Sequence, residues 1–226
     1  MPDLFALLPG LERVSHPLLN SRRVVAVGVS AVLYDEQAFA FEITGPRHWG
    51  WRDDGVRLVG VGGIGGRIES GESVLSCLRR EVFEEIGVGF WLEPTASTAL
   101  IHDGEVATWL DVPTGPDQTT PYMLNLLPPQ LERPDRPDHL AIVTFRGILR
   151  QEPRRGDLFG LLRIERRALT PFFARSEWPL DQALNLPGLA FDLESALPPG
   201  CVLRPTLTGR AFQVLLGHTL GAGQGK

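Results

Sequence analysis

Two cysteines, Cys77 and Cys201, in 226 residues cannot build a disulfide framework and are too sparse for a cysteine-based zinc site. A reducing interior is the expected setting. Also missing is any run of about 18 apolar residues, the length at which a membrane-crossing helix becomes a candidate. The first residues carry Asp3, Pro9 and Glu12 where a secretion signal would need a basic start and an unbroken apolar stretch. A basic excess is absent too: 22 Lys and Arg stand against 27 Asp and Glu, a net charge of −5. That excludes general electrostatic tracking of nucleic acid, though not a local basic pocket. The sequence therefore predicts a soluble cytoplasmic protein with no membrane partner and no bulk nucleic-acid binding. At 43% hydrophobic and 22% charged residues, the composition is that of an ordinary globular chain able to bury a sizeable core.

Residues 1–21 mix Leu4, Phe5, Leu7 and Leu8 with Pro2, Pro9, Gly10 and Pro17 and read as a packed N-terminal arm. Residues 22–220 read as a single domain and 221–226 as a flexible tail. After Arg23, the segment VVAVGVSAVLY is β-branched and nearly continuously apolar, Asp35-Glu36-Gln37 offers turn residues, and AFAFEI follows; this predicts a β-hairpin. A loop over 45–55 holds Trp49 and Trp51, and a strand over about 56–61 runs into Gly62, Gly63, Gly65 and Gly66. One helix stands out over 73–86, with Ser73 as its N-cap and Gly87 as its stop. On a helical projection Leu75, Leu78, Val82 and Ile86 form one apolar stripe while Glu81, Glu84 and Glu85 share another face. Residues 98–112 predict paired strands around His102-Asp103-Gly104. The 26 residues of 112–137 hold seven prolines, which argues against both a helix and an interior strand. They predict an insertion, with Tyr122, Met123, Leu124 and Leu126 as apolar material for a pocket wall or a homodimer contact. Strands are predicted over 140–149 and 158–169, and helices over 175–184 and 206–216.

Three glutamates within about one helical turn repel one another, costing an isolated helix a few tenths of a kcal/mol per pair. A hard divalent cation reverses that sign, because Mg²⁺ takes oxygen ligands and commonly combines one or two carboxylates with substrate phosphates. The alternative is a solvated acidic face paired with Arg79 and Arg80. Ahead of the helix, the glycines allow a turn from strand to helix in which the backbone closely approaches a ligand.

Written from Gly66, the chain reads GRIESGESVLSCLRREVFEEIGV: Gly66, five residues, Glu72, seven residues, Arg80-Glu81, Val82, one residue, Glu84-Glu85, one residue, Gly87, Val88. In that spacing it resembles the signature of the Nudix hydrolase family at every specified position. Seven identities and two apolar classes would coincide by chance with a probability on the order of 10⁻⁷. The resemblance implies an α/β fold, the Nudix-type α/β/α sandwich with a mixed central sheet and a loop-helix-loop catalytic motif. It implies hydrolysis of a nucleoside diphosphate linked to another moiety (a nucleotide, nucleotide sugar or dinucleotide) by attack of water on phosphorus, with Mg²⁺ or Mn²⁺ as cofactor. It also implies Glu84 and Glu85 as principal metal ligands, Glu81 as a ligand or the residue that activates water, and the carbonyl of Gly65 as a further ligand. Arg80 would orient the carboxylates, and Glu72 would fold back from the loop to pair with it. No covalent intermediate is needed, so Cys77 is expected to pack.

Substrate choice lies outside these 23 residues. Subgroups acting on ADP-ribose or on diadenosine polyphosphates carry a proline or a tyrosine in a region occupied here by His102-Asp103-Gly104-Glu105. Ile64 also stands where many members have proline. Trp49 and Trp51 are candidates to stack on a base, with Arg47 or Arg52 on a phosphate, unless the tryptophans simply pack the loop onto the sheet. Arg67 is a second phosphate candidate. For an acidic ligand beyond the signature, Glu152 and Asp157 flank a predicted turn, followed by Glu105. Besides the hydrolase, two readings stay open: a catalytically silent Nudix-like nucleotide sensor or regulator, and a prenyl diphosphate isomerase on the same fold. The intact carboxylate set favours the hydrolase.

Overall fold

The computed structural model describes residues 2–20, 22–113, 119–128 and 137–223. In chain order the elements are helix α1 (Leu4–Leu7), strands β1 (Val24–Tyr34), β2 (Ala38–Ile43), β3 (Gly50–Trp51), β4 (Arg57–Gly62) and β5 (Ile64–Gly66), and helix α2 (Val74–Ile86). Strands β6 (Phe90–Leu92), β7 (Thr98–His102), β8 (Glu105–Leu110), β9 (Met123–Leu127), β10 (His139–Leu149) and β11 (Gly160–Glu165) follow, then helix α3 (Arg166–Phe173). Strand β12 (Trp178–Pro179), helix α4 (Leu180–Leu184), strands β13 (Leu189–Leu193) and β14 (Val202–Pro205) and helix α5 (Thr208–Gly223) complete the chain.

One mixed sheet organises the molecule, in the order β12-β14-β4-β2-β1-β10-β9-β7-β8, with β11 continuing from β2 to β13. Its centre is the parallel pair β1 and β10, from Val24 beside His139 to Tyr34 beside Ile148. A register shift between Ala26 and Gly28 inserts one residue and changes which parity of β1 faces inward. Val24 and Ala26 before it, and Val29, Ala31 and Leu33 after it, all join the core that holds Leu78, Val82 and Ile86 of α2. Val32 points the other way, into a second core with Phe172 of α3 and Phe212 and Leu215 of α5. The sheet is thus covered on both faces, an α/β/α sandwich. Leu4, Leu11 and Leu19 are buried in the α2-side core, so the N-terminal stretch that carries them packs against the sheet.

The predicted hairpin forms, pairing Leu33 with Ala40 and Tyr34 with Phe39. The hairpin at His102 also forms, with Asp103 at φ 50° and Gly104 at φ 76° supplying the left-handed turn. The proline-rich stretch requires a correction: β9 is an interior strand, antiparallel to β10 and parallel to β7. Its five residues fall between Pro121 and Pro128, so every amide in the ladder is intact and the prolines only bound it. Met123, Leu124 and Leu126 are therefore sheet core, neither pocket wall nor dimer surface. Residues 114–118 and 129–136 of the predicted insertion lie outside the described residues.

Other boundaries also differ. The strand expected over 158–169 stops at Glu165 and continues as α3, where the Arg166 amide donates to the Gln37 carbonyl and its guanidinium to the carbonyls of Asp35 and Glu36. The helix expected over 175–184 shortens to α4 because Trp178 and Pro179 pair with β14. Helix α5 runs on to Gly223, which takes 221–223 out of the expected tail; residues 224–226 lie outside the described residues.

Candidate active site

Helix α2 begins where Ser73 accepts the Ser76 amide and ends where Gly87, at φ 69°, donates back to the Phe83 carbonyl. Leu78, Val82 and Ile86 are fully buried, which turns the glutamate face toward the glycine turn of β5. That turn sits on β1, with Gly65 opposite Ser30 and Gly66 opposite Val29. Gly65 has φ 146°, and a Cβ on it would lie 2.3 Å from the Val29 carbonyl oxygen. A Cβ on Gly66 would lie 2.3 Å from the Glu81 carboxyl carbon. Only glycine lets that carboxylate lie against the turn.

Arg80 is the hub. Its Nε and Nη2 donate to Glu72 Oε1 and Oε2 at 3.0 and 3.1 Å, the bidentate form, so Glu72 does fold back from the loop. Nη1 meets Glu81 Oε1 and Glu84 Oε2, each at 3.0 Å. These carboxylates hold Arg80 protonated, and Arg80 draws the Glu72 carboxyl down to about 2. Glu85 points elsewhere: its Oε2 accepts the Gly65 amide at 2.8 Å. Burial, then the charges of Glu42, Glu81 and Glu84, push its carboxyl up to about 8, against the pull of the Gly65 amide. Glu42 itself rises to about 7 through burial, opposed by Arg47. Glu42 and Glu85 thus repel one another when both are ionised. Among the described residues no three carboxylate, imidazole or thiol groups close on one point as a ready cage. Arg80 accounts for this by spreading Glu72, Glu81 and Glu84 around its own guanidinium.

Cys77 packs, as expected: buried on α2, its thiol faces the Arg67 carbonyl at 3.4 Å and is pushed up to about 12, chiefly by burial. Arg67 is exposed beside the N-terminal arm. Trp49 donates its indole N–H to the Thr44 carbonyl and sets its ring edge-on to Phe159, so it packs the loop onto the sheet. Trp51 is exposed, with the Arg57 guanidinium 3.5 Å over its ring. Arg52 is bound by Asp54 and Glu177. Arg47 is exposed, donates to His48 Nε2 and acts electrostatically on Glu42. Glu152 and Glu105 are exposed, Glu152 in a groove with Trp91 and Asp35. Asp157 is exposed too, yet its amide donates to the Glu84 carbonyl.

That last bond belongs to a feature with no counterpart in the motif. The amides of Arg154, Gly156 and Asp157 donate to the carbonyls of Ile86, Glu85 and Glu84 at 2.8–3.1 Å, satisfying acceptors that the end of α2 leaves open. Glu42 was likewise outside the sequence reading. It is the only charged residue of β2, and its carboxylate makes no hydrogen bond or ion pair among the described residues.

A family model described as the NUDIX domain matches residues 24–155, more than half of the chain. Among solved structures, the chain is similar to a mutator MutT protein from Bacillus halodurans, with 17% identity, 58% of this chain and 60% of that chain covered, and a TM-score of 0.27. It is also similar to the ORF135 protein of E. coli (15% identity, 67% and 81% covered, TM-score 0.36) and a NUDIX hydrolase from Nitrosomonas europaea (18%, 59% and 65%, TM-score 0.34). The match thus spans about 60% of the length of the Bacillus halodurans protein. No curated protein matches the chain.

Proposed function

The chain belongs to the Nudix family, and on that premise we propose that it is a divalent-metal-dependent pyrophosphohydrolase acting on a nucleotide-type small molecule. The observation that carries this is the set of Glu81, Glu84 and Glu85 on one helical face against the Gly65–Gly66 turn, with Arg80 holding Glu81 and Glu84 and the Gly65 amide holding Glu85. Mg²⁺ or Mn²⁺ fits these groups on two counts. All the available donors are hard oxygens, and the raised Glu85 carboxyl marks a place short of positive charge. A closed protein cage is not required, since Mg²⁺ usually completes its shell with water and substrate phosphates. Glu84, Glu85, Glu81 and the Gly65 carbonyl are the ligands assigned. When bound, the cation neutralises phosphate charge and acidifies water.

The chain's own residues do the rest. Arg80 holds Glu81 by Oε1, leaving Oε2 to take a proton from the water that attacks phosphorus. Glu72 fixes Arg80 from the far side, so the guanidinium cannot turn toward substrate. The Gly65 amide fixes Glu85 at one oxygen and leaves the other for the ion. Both thiols are free and buried, which supports a reducing, cytoplasmic setting. Among the described residues no helix is long and apolar enough to cross a membrane.

The test is a phosphate-release screen of nucleoside triphosphates, sugar nucleotides, dinucleotides and coenzymes, with Mg²⁺ and with Mn²⁺, beside the Glu85→Gln variant. Turnover that vanishes in the variant is the expected result. Silence across the panel would favour the nucleotide sensor instead.

A further inference from the structure

A cavity of about 210 Å³ opens directly beside the Gly65–Gly66 turn, and part of its wall comes from Thr206, Leu207 and Thr208, well outside the region matched by the family model. This wall is tightly built. Thr208 Oγ1 is 2.7 Å from Ser30 Oγ, which is 2.9 Å from Thr144 Oγ1, a buried hydroxyl chain across α5, β1 and β10. A Cβ on Gly63 would lie 2.5 Å from Thr208 Cγ2, and one on Gly209 2.1 Å from the Val61 carbonyl. Leu207 is held at φ 45° with its side chain exposed. A non-glycine residue in that region is strained, and such strain persists only where the surroundings over-determine it.

The lining says what would fit. No Arg, Lys or His lines the cavity, and the Glu42 carboxylate does, so it repels phosphate and suits the uncharged part of a substrate. No aromatic ring lines it, so it offers no platform for stacking a base. The Glu42 carboxyl and the Thr206 hydroxyl make no hydrogen bonds among the described residues, and once ionised Glu42 can only accept. The ligand must therefore bring donors. Ile142 and Leu207 add apolar surface, as the C–H face of a ring requires. Whole-ligand pockets run to roughly 300–1,000 Å³, so this one takes a single ring.

Resting on the pyrophosphohydrolase reading above, we propose that this cavity is a specificity site for a sugar ring carried on the diphosphate, with Thr206 and Glu42 binding its hydroxyls. The sugar has two sources, the ribose of a nucleotide or a second sugar beyond the diphosphate. The experiment measures kcat and KM for wild type, Thr206→Val and Leu207→Gly on UDP-glucose, on ATP and on the sugar-free isopentenyl diphosphate. Isothermal titration of UDP-glucose and of ATP in EDTA accompanies it. Loss of one neutral hydrogen bond should raise KM for sugar-bearing substrates by about three- to tenfold in Thr206→Val, leaving kcat and the sugar-free substrate unchanged. Leu207→Gly should keep its thermal midpoint, since the strain is relieved, while also weakening sugar binding. An effect confined to UDP-glucose assigns the second sugar, and an equal effect on ATP assigns the ribose. Hydrolysis with KM unmoved by either variant overturns the cavity assignment and leaves the hydrolase reading standing. No hydrolysis, with titration still weakened by Thr206→Val, sinks the hydrolase reading alone; titration that shows no binding by wild type, or equal binding by both proteins, overturns the sugar site.

Discussion

Arg80 decides the geometry of the carboxylate cluster, since three glutamates share its guanidinium while Glu85 is held by the Gly65 amide instead. Replacing Glu85 by Gln should therefore leave the fold intact and lower kcat by about a hundredfold or more, the scale of losing one preorganised electrostatic group; near wild-type turnover at saturating Mg²⁺ would refute its assignment. Gly66→Ala probes the same cluster from the other side. The new Cβ would meet the Glu81 carboxylate, the end of a flexible side chain, so Glu81 should swing away. Activity should drop sharply with the thermal midpoint changed by only a few degrees, as calorimetry beside the assay would show. At this scale the motif residues were legible because their spacing is local. Glu42 and Thr206 were not, because they reach the Gly65 turn only through sheet pairing and the docking of α5.

Helix α2 is fixed at both ends, by Ser73 at its start and by the amides of Arg154, Gly156 and Asp157 at its finish. A Cβ on Gly156 would lie 2.2 Å from the Glu84 carbonyl oxygen, a backbone atom that cannot move aside. Gly156→Ala should thus cost about 1–3 kcal/mol and weaken Mg²⁺-dependent turnover as well, because the segment it displaces abuts Glu84 and Glu85. Equal urea midpoints for variant and wild type would rule this out. Val82→Asp tests the buried face: an unpaired charge there should cost about 3–5 kcal/mol, read as a lowered thermal midpoint. The periodic helix α2 and the long β-branched apolar run of β1 were legible in sequence. Strand β9 was not, since proline density over a long window hid five proline-free residues, and β11 was overrun because apolar pattern does not distinguish a strand from the amphipathic α3 that continues it.

Across the molecule, Glu42 and Glu85 give metal-free stability an unusual pH dependence. Their carboxyls ionise at about 7 and about 8 in the folded protein but near 4.5 in the unfolded chain, so between those values the native state holds more protons. Stability then falls as pH rises from about 4.5 to 8. Glu72, lowered to about 2, works in the opposite sense and stabilises above 4.5, with that contribution lost as pH falls toward 2. In EDTA the thermal midpoint should peak in the mildly acidic range and decline toward pH 8. Mg²⁺ should remove the decline, and Glu85→Gln should reduce it without metal. A midpoint that rises from pH 5 to 8 in EDTA would contradict the burial of both groups.

Two parallel pairings of long sequence separation set a further condition, on time. Val24 lies beside His139, and Leu58 beside Val202, so the sheet closes only between residues far apart in the chain. Such non-local closure makes for slow folding. A growing chain that already carries the whole glutamate helix still lacks β14 and the threonines that follow it. Catalytic competence and completion of the sheet should arrive together on refolding, which makes recovered turnover a clock for the last strand to join.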